Sequence, residues 1–172
     1  MANSDTPRGL WPIRHLCGGE IRANKYIVTP GATIYRGDIV EMVNGGTVDP
    51  AAAGDATKVI GVAAEYVSDS GSVGNKEILV YDDPMIVFGI QATTGQIPSA
   101  ATSKGLSADA ITYAAGNGEI SITELAAMSA QTAQFHCLGK VDSPDNNWGE
   151  HVKLEVIFNE HRFKASTGSA GI

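Results

Sequence analysis

The sequence has no apolar run near the roughly 20 residues that cross a bilayer, because polar residues and turn formers interrupt its 43% hydrophobic content every few positions. A membrane-spanning helix is excluded, and no membrane partner is expected. Cysteine is scarce: Cys17 and Cys137 are the only two, too few for the disulfide framework of a secreted scaffold, so both are expected to be thiols. The opening residues Met1 to Arg8 lack a cationic start followed by an apolar stretch, which predicts no secretory signal and a protein made and kept in a cytosol. Phosphate-cradling loops of the Gly-x-x-x-x-Gly-Lys-Ser/Thr type, Gly-x-Gly-x-x-Gly fingerprints and Gly-x-Ser-x-Gly turns are all missing. Each would have pointed to an enzyme or a nucleotide site. Tryptophan is scarce too: Trp11 and Trp148 are the only two, both outside the predicted strands, a thin supply for the stacking platform of a carbohydrate-binding module.

Positive charge is also in short supply, and it is unevenly placed. The net charge is −7. Residues 1 to 37 carry Arg8, Arg14, Arg22, Lys25 and Arg36 against Asp5 and Glu20, a net +3. Residues 38 to 83 carry nine acids against Lys58 and Lys76, a net −7. An acidic body repels phosphate, so no nucleic-acid partner is expected. The basic beginning either docks an acidic protein partner or only keeps the chain soluble.

What is present is a succession of short β-rich runs. The first segment, residues 1 to 24, contains Pro7, Gly9, Pro12, Gly18 and Gly19 and follows neither a period of 2 nor one of 3.6, which predicts an extended N-terminal arm. From Lys25 to Lys164 a β domain is expected. Its strands are Tyr26 to Thr29, Asp38 to Val43, Lys58 to Tyr66, Glu77 to Tyr81, Met85 to Ala92, Gln134 to Val141 and Val152 to Phe158. Met85 to Ala92 is nearly all apolar, which implies burial on both faces. Asn44-Gly45-Gly46 suits a tight hairpin, residues 49 to 55 a loop, and Gly61 a bulge or a close backbone approach. Residues 93 to 107 are expected to be irregular. Ala110 to Tyr113 and Glu119 to Thr123 are expected to pair around Gly116-Asn117-Gly118, and Thr123 to Ser129 to form a short capped helix. Residues 165 to 172 are small and polar and read as a flexible tail. The fold class that follows is all-β, an antiparallel barrel or sandwich with the arm attached and at most one or two short helices.

The chemistry-bearing residues each have a plainer role. His15 with Cys17 and His136 with Cys137 lack the two-to-four-residue spacing of metal pairs, and neighbours on a strand point to opposite faces, so no metal and no cofactor is expected. Cys137 is read as a small buried hydrophobe beside a hydrogen-bonded or exposed His136. Asp82 and Asp83 ahead of Pro84 read as a solvated turn rather than a catalytic pair, and no catalytic residues are assigned. Trp11 and Trp148 lie outside the predicted strands. Each either covers the end of the β domain or anchors an interface, where Trp and Arg are over-represented. Trp11, between Arg8 and Arg14, is the better anchor and Trp148 a secondary contact.

The arm also carries a likeness. Asn3-x-Asp5-x-Pro7-Arg8-Gly9-x-x-Pro12-x-Arg14 resembles the start of a family of tailed-phage capsid cement proteins. Ile34 to Val40, Ile60 to Val62, Val80 to Gln91, Leu138 to Val141 and Ile157 to His161 are similar to further stretches of that family. The resemblance implies a non-enzymatic virion protein on the capsid exterior, made in the host cytoplasm, that binds the major capsid protein and rivets neighbouring capsomers as a dimer or trimer. Two other classes stand beside it: a virion adaptor or fibre-base component, which would self-associate without capsid protein, and a carbohydrate-binding β-sandwich, which would bind immobilised glycans. In the cement reading Arg8, Leu10, Trp11, Pro12 and Arg14 form the capsid-binding arm. The arm gains order only on another surface, so deleting residues 1 to 14 is expected to leave the body's stability unchanged.

Overall fold

The computed structural model describes residues 3–43, 45–52, 59–71, 76–96 and 98–164. Its first eight strands are β1 (Trp11–His15), β2 (Asn24–Ile27), β3 (Thr33–Ile34), β4 (Ile39–Met42), β5 (Val48–Pro50), β6 (Val59–Ala63), β7 (Val67–Ser68) and β8 (Glu77–Tyr81). Then come β9 (Ile86–Gln91), a one-turn helix α1 (Ala100–Ser103), β10 (Ser107–Ala108), β11 (Ala110–Ile111), β12 (Gly116–Asn117) and β13 (Ile120–Ser121). Last are β14 (Glu124–Leu125), β15 (Phe135–Lys140) and β16 (Lys153–Phe158).

Among the described residues the strands join into two open five-stranded sheets, ordered β1-β9-β16-β15-β10 and β2-β8-β6-β4-β5, with three small two-stranded ladders beside them. The pairings within both sheets are antiparallel. The fold is therefore all-β and packs as a sandwich, with side chains of both sheets meeting in one core that includes Ile39, Val59, Val62, Ile86, Phe88, Ile90, Phe135, Leu154 and Phe158.

Alternation along β6 shows how the sequence builds this. Val59 and Val62 enter the inter-sheet core, whereas Ile60 and Ala63 enter a second cluster with Val40, Ile78 and Val80 on the far face of the same sheet. A strict period of 2 would put residues 59 and 62 on opposite faces. The parity is reset by a bulge: Val40 pairs with Gly61 and Glu41 with Val59, leaving Ile60 as the extra residue. Gly61 permits it, because a Cβ there would lie 2.0 Å from the Tyr81 carbonyl oxygen. Both features expected of Gly61 are present.

Most strand expectations hold within a residue or two. The β4–β5 hairpin stands where the Asn-Gly pair placed it, with Val43 N–H donating to the Thr47 carbonyl at 3.0 Å; Asn44 itself lies outside the described residues. The loop expected over residues 49 to 55 gives up Asp49 and Pro50 to β5, and residues 53 to 55 lie outside the described ones. Lys58 and the tail, residues 165 to 172, do too. The helix expected over Thr123 to Ser129 is instead β14, paired with β11; Thr123 uses its hydroxyl on the Thr112 carbonyl at 3.0 Å rather than on a helix terminus. The observed helix α1 falls inside the stretch expected to be irregular, started by reciprocal bonds between Ser99 and Thr102. The expected pair around Gly116 to Gly118 splits: Gly116 and Asn117 are themselves strand residues paired with Ile120 and Ser121.

The largest correction concerns the N-terminal segment. Trp11–His15 is an edge strand of the first sheet, paired with β9 at Trp11↔Gly89, Pro12↔Phe88, Arg14↔Val87 and His15↔Ile86, with a bulge between Pro12 and Arg14. Leu10, only 3% exposed, belongs to the core. The segment is ordered on its own body. Pro12 and the bulge mask its strand character from a reading by periodicity, and proline is tolerated there because β1 is an edge.

Candidate docking surface

Two glycines place the surface. Gly9 and Gly37 cross backbone against backbone: a Cβ on Gly9 would lie 2.5 Å from the Gly37 carbonyl oxygen and one on Gly37 would lie 2.8 Å from that of Arg8. Leu10 N–H seals the crossing by donating to the Gly37 carbonyl at 2.9 Å. Both glycines have positive φ, +65° and +94°, which side chains rarely adopt. Their flanking residues Arg8 and Arg36 are thereby brought side by side.

Trp11 completes the arrangement. Its ring lies over Gly89, where a Cβ would sit 2.2 Å from Trp11 Cε2, and the Arg8 guanidinium stacks on the ring at 3.9 Å from its centroid. Burial first, and the Arg36 charge second, lower the pKa of Arg8. Neither arginine has a carboxylate within ion-pair distance among the described residues. Arg8, Trp11, Pro12, Arg36, Ala64 and Tyr81 line a groove of about 290 Å³. Arg36 and Ala64 continue into a recess of about 500 Å³ that reaches Tyr66, Glu65 and Glu119. On the other side Arg8 opens onto one of about 310 Å³ that includes Lys153. The three share Ile120. The result is an aromatic, mainly cationic cleft on a chain of net charge −7.

Of the five arm residues read from the sequence, Arg8, Trp11 and Pro12 meet here. Leu10 touches the groove only from beneath, as a core residue. Arg14 lies past the bulge and is bound to Glu155 at 2.8 Å. Trp148 is 36% exposed on a different loop, which the beginning of the chain holds: the Asn3 side-chain amide donates to the Asn147 and Glu150 carbonyls at 2.8 and 2.7 Å, and Asn147 N–H donates back to Asn3 Oδ1 at 2.8 Å. Arg36 and Tyr81 were not singled out by sequence. Arg36 had a signal, as a cation directly before Gly37 in a turn, but its neighbour Arg8 is distant in the chain.

Under the crossing lies Asp38, 1% exposed. Its Oδ2 accepts the Tyr35 N–H at 2.9 Å, and burial pushes its pKa up to about 6 against the opposing pull of Ser121 and the Tyr35 N–H. The other residues weighed for chemistry separate. Asp82 accepts from Tyr26 Oη at 2.5 Å and from the Asn24 amide at 2.9 Å. Asp83 instead faces His15 Nε2 at 3.1 Å and accepts the Met85 N–H at 2.8 Å. Cys137 is buried, with its thiol pushed up to about 11 by burial, while His136 Nδ1 bonds the Ser107 hydroxyl at 2.9 Å. A constellation no spacing rule announced stands at the N-terminal clasp: Asp5, Glu124 and His151 bring ligand atoms within 4.8 Å of one another.

No family model matches the sequence, and no curated protein compared with it matches.

Proposed function

We propose that this protein is a virion structural component that binds the outside of a phage capsid and stabilises contacts between capsomers, a cement or decoration protein whose task is binding rather than catalysis. The observation that carries the reading is the pair Arg8 and Arg36, held together by the Gly9–Gly37 crossing beside Trp11 and, among the described residues, without a carboxylate partner. Two adjacent guanidiniums favour an anionic partner, and a planar fork on an aromatic face suits a carboxylate-bearing segment. The same stretch carries the sequence resemblance to tailed-phage cement proteins. The major capsid protein is the partner in this proposal, and a dimer or trimer on the capsid exterior lets one small chain hold several capsomers by multivalent contact.

Shells lacking the protein, mixed with the wild-type chain or with the Arg8→Glu/Arg36→Glu double variant and then sedimented, test it. Removing a central Arg anchor typically costs about 2 kcal/mol or more, roughly thirtyfold in affinity. The double variant should remain folded and be recovered in the supernatant. Decoration as tight as wild type would refute the proposal.

A further inference from the structure

Gln91, the last residue of β9, is 1% exposed and fully engaged: its amide nitrogen donates to Asp5 Oδ1 at 2.8 Å and to Glu124 Oε1 at 2.9 Å, and its carbonyl oxygen accepts the Thr6 N–H at 3.0 Å. A neutral amide therefore stands between two carboxylates. Among the described residues no Lys or Arg lies within 4.0 Å of either acid. The third member is His151. Its Nδ1 is buried, makes no hydrogen bond, and points toward Asp5 Oδ1 at 3.5 Å. The three side chains come from three distant parts of the chain: the terminal segment, β14, and the loop before β16. Neutral donors alone, the Gln91 amide and the Thr93 hydroxyl at 3.2 Å from Glu124 Oε2, hold the two carboxylates, so the like charges are offset only by a proton on His151 or by a bound cation, and the buried Nδ1 makes no hydrogen bond.

We propose that Asp5, Glu124 and His151 form a binding site for a divalent transition-metal ion of the zinc type, which pins the N-terminal segment to the body. One imidazole and two carboxylates suit Zn²⁺, Co²⁺ or Mn²⁺ better than Mg²⁺, which prefers an all-oxygen octahedron. Bonds of about 2.0–2.2 Å from zinc to N and O put tetrahedral ligands roughly 3.4 Å apart, so the Asp5–His151 separation already fits. Glu124 closes the remaining distance as the ion takes the place of the Gln91 amide, and solvent supplies the fourth position. Asp5 is exposed and precedes Arg8 and Trp11, so the ion would fix the approach to the groove. The site is independent of the cement reading.

The test uses the full chain with Cys17→Ser, which removes the exposed thiol as a competing ligand. After treatment with EDTA and its removal, Zn²⁺ titrated calorimetrically should bind at one equivalent and raise Tm by roughly 5–10 °C at a free concentration one hundred times Kd. Mg²⁺ should give no shift. Asp5→Asn and His151→Asn, the latter suited to the positive φ of 54° at that position, should each abolish the zinc-dependent shift while the metal-free Tm stays near that of the parent. Absence of saturable binding, or binding that persists in both variants, overturns the proposal; the second outcome places the metal elsewhere.

Discussion

Truncating Leu10 separates an arm that is part of the body from one that merely precedes it. Leu10 is 3% exposed and belongs to the core shared by the two sheets. Buried Leu→Ala changes cost about 2–5 kcal/mol, lost transfer energy plus the cavity left behind, and a value of about 3 kcal/mol is reasonable here because the Gly9–Gly37 crossing beside it prevents the backbone from collapsing into the space. With a urea slope of about 2 kcal/mol per molar for a domain of this size, the midpoint should fall by about 1.5 M. Tm should fall by about 6–12 °C. Leu16→Ala, six residues on and 44% exposed, is the control and should move stability by no more than about 0.5 kcal/mol. Urea denaturation followed by circular dichroism measures both. Equal midpoints for the two variants, within about 0.3 M, would mean that Leu10 is not packed as described and that the N-terminal segment is independent of the body after all.

Other perturbations follow from the same geometry. Gly89→Ala places a methyl group 2.2 Å from the Trp11 ring, so in a Trp148→Phe background the Trp11 emission should shift to the red and shell binding should weaken while the strand signal persists; unchanged emission would refute the close approach. Asp38 has its carboxyl pushed up to about 6 by burial, above the value of about 3.9 for an unfolded chain. Between those two values the folded state holds the proton that the unfolded state has lost, so stability falls as pH rises from about 4 to about 6 and is level above it. Asp38→Asn should remove that fall: between about pH 4 and pH 7 the parent should lose on the order of 3 kcal/mol that the variant does not. Parallel pH slopes of the urea midpoint in parent and variant would show that Asp38 is not the group responsible.

What the sequence determined by itself is the class of fold and most of its strands. Short runs of Val, Ile, Tyr and Phe cut by Gly, Pro and Asn leave little room for helix, and β9 announced burial on both faces because six consecutive residues there have almost no polar side chain. Gly61 was legible for a similar reason: a glycine inside a strand gives up packing that only a close approach or a bulge recovers. What covers β9 was not legible. Its outer face is closed by Trp11 over Gly89 and by Asp5, Thr6 and Glu124 around Gln91, contacts between positions some eighty residues apart or more than thirty, with no local period to reveal them. For that reason a segment broken by prolines read as an arm awaiting a partner, when the nearest apolar surface that could order it was its own sheet. The same physics governs the candidate sites. Residue types can be weighed in one dimension, and Arg8 and Trp11 were. Their pairing with Arg36, and the meeting of Asp5, Glu124 and His151, exist only after the sheets have packed, because charge and metal-ligand chemistry act over a few ångströms while the chain separates those groups by tens of residues.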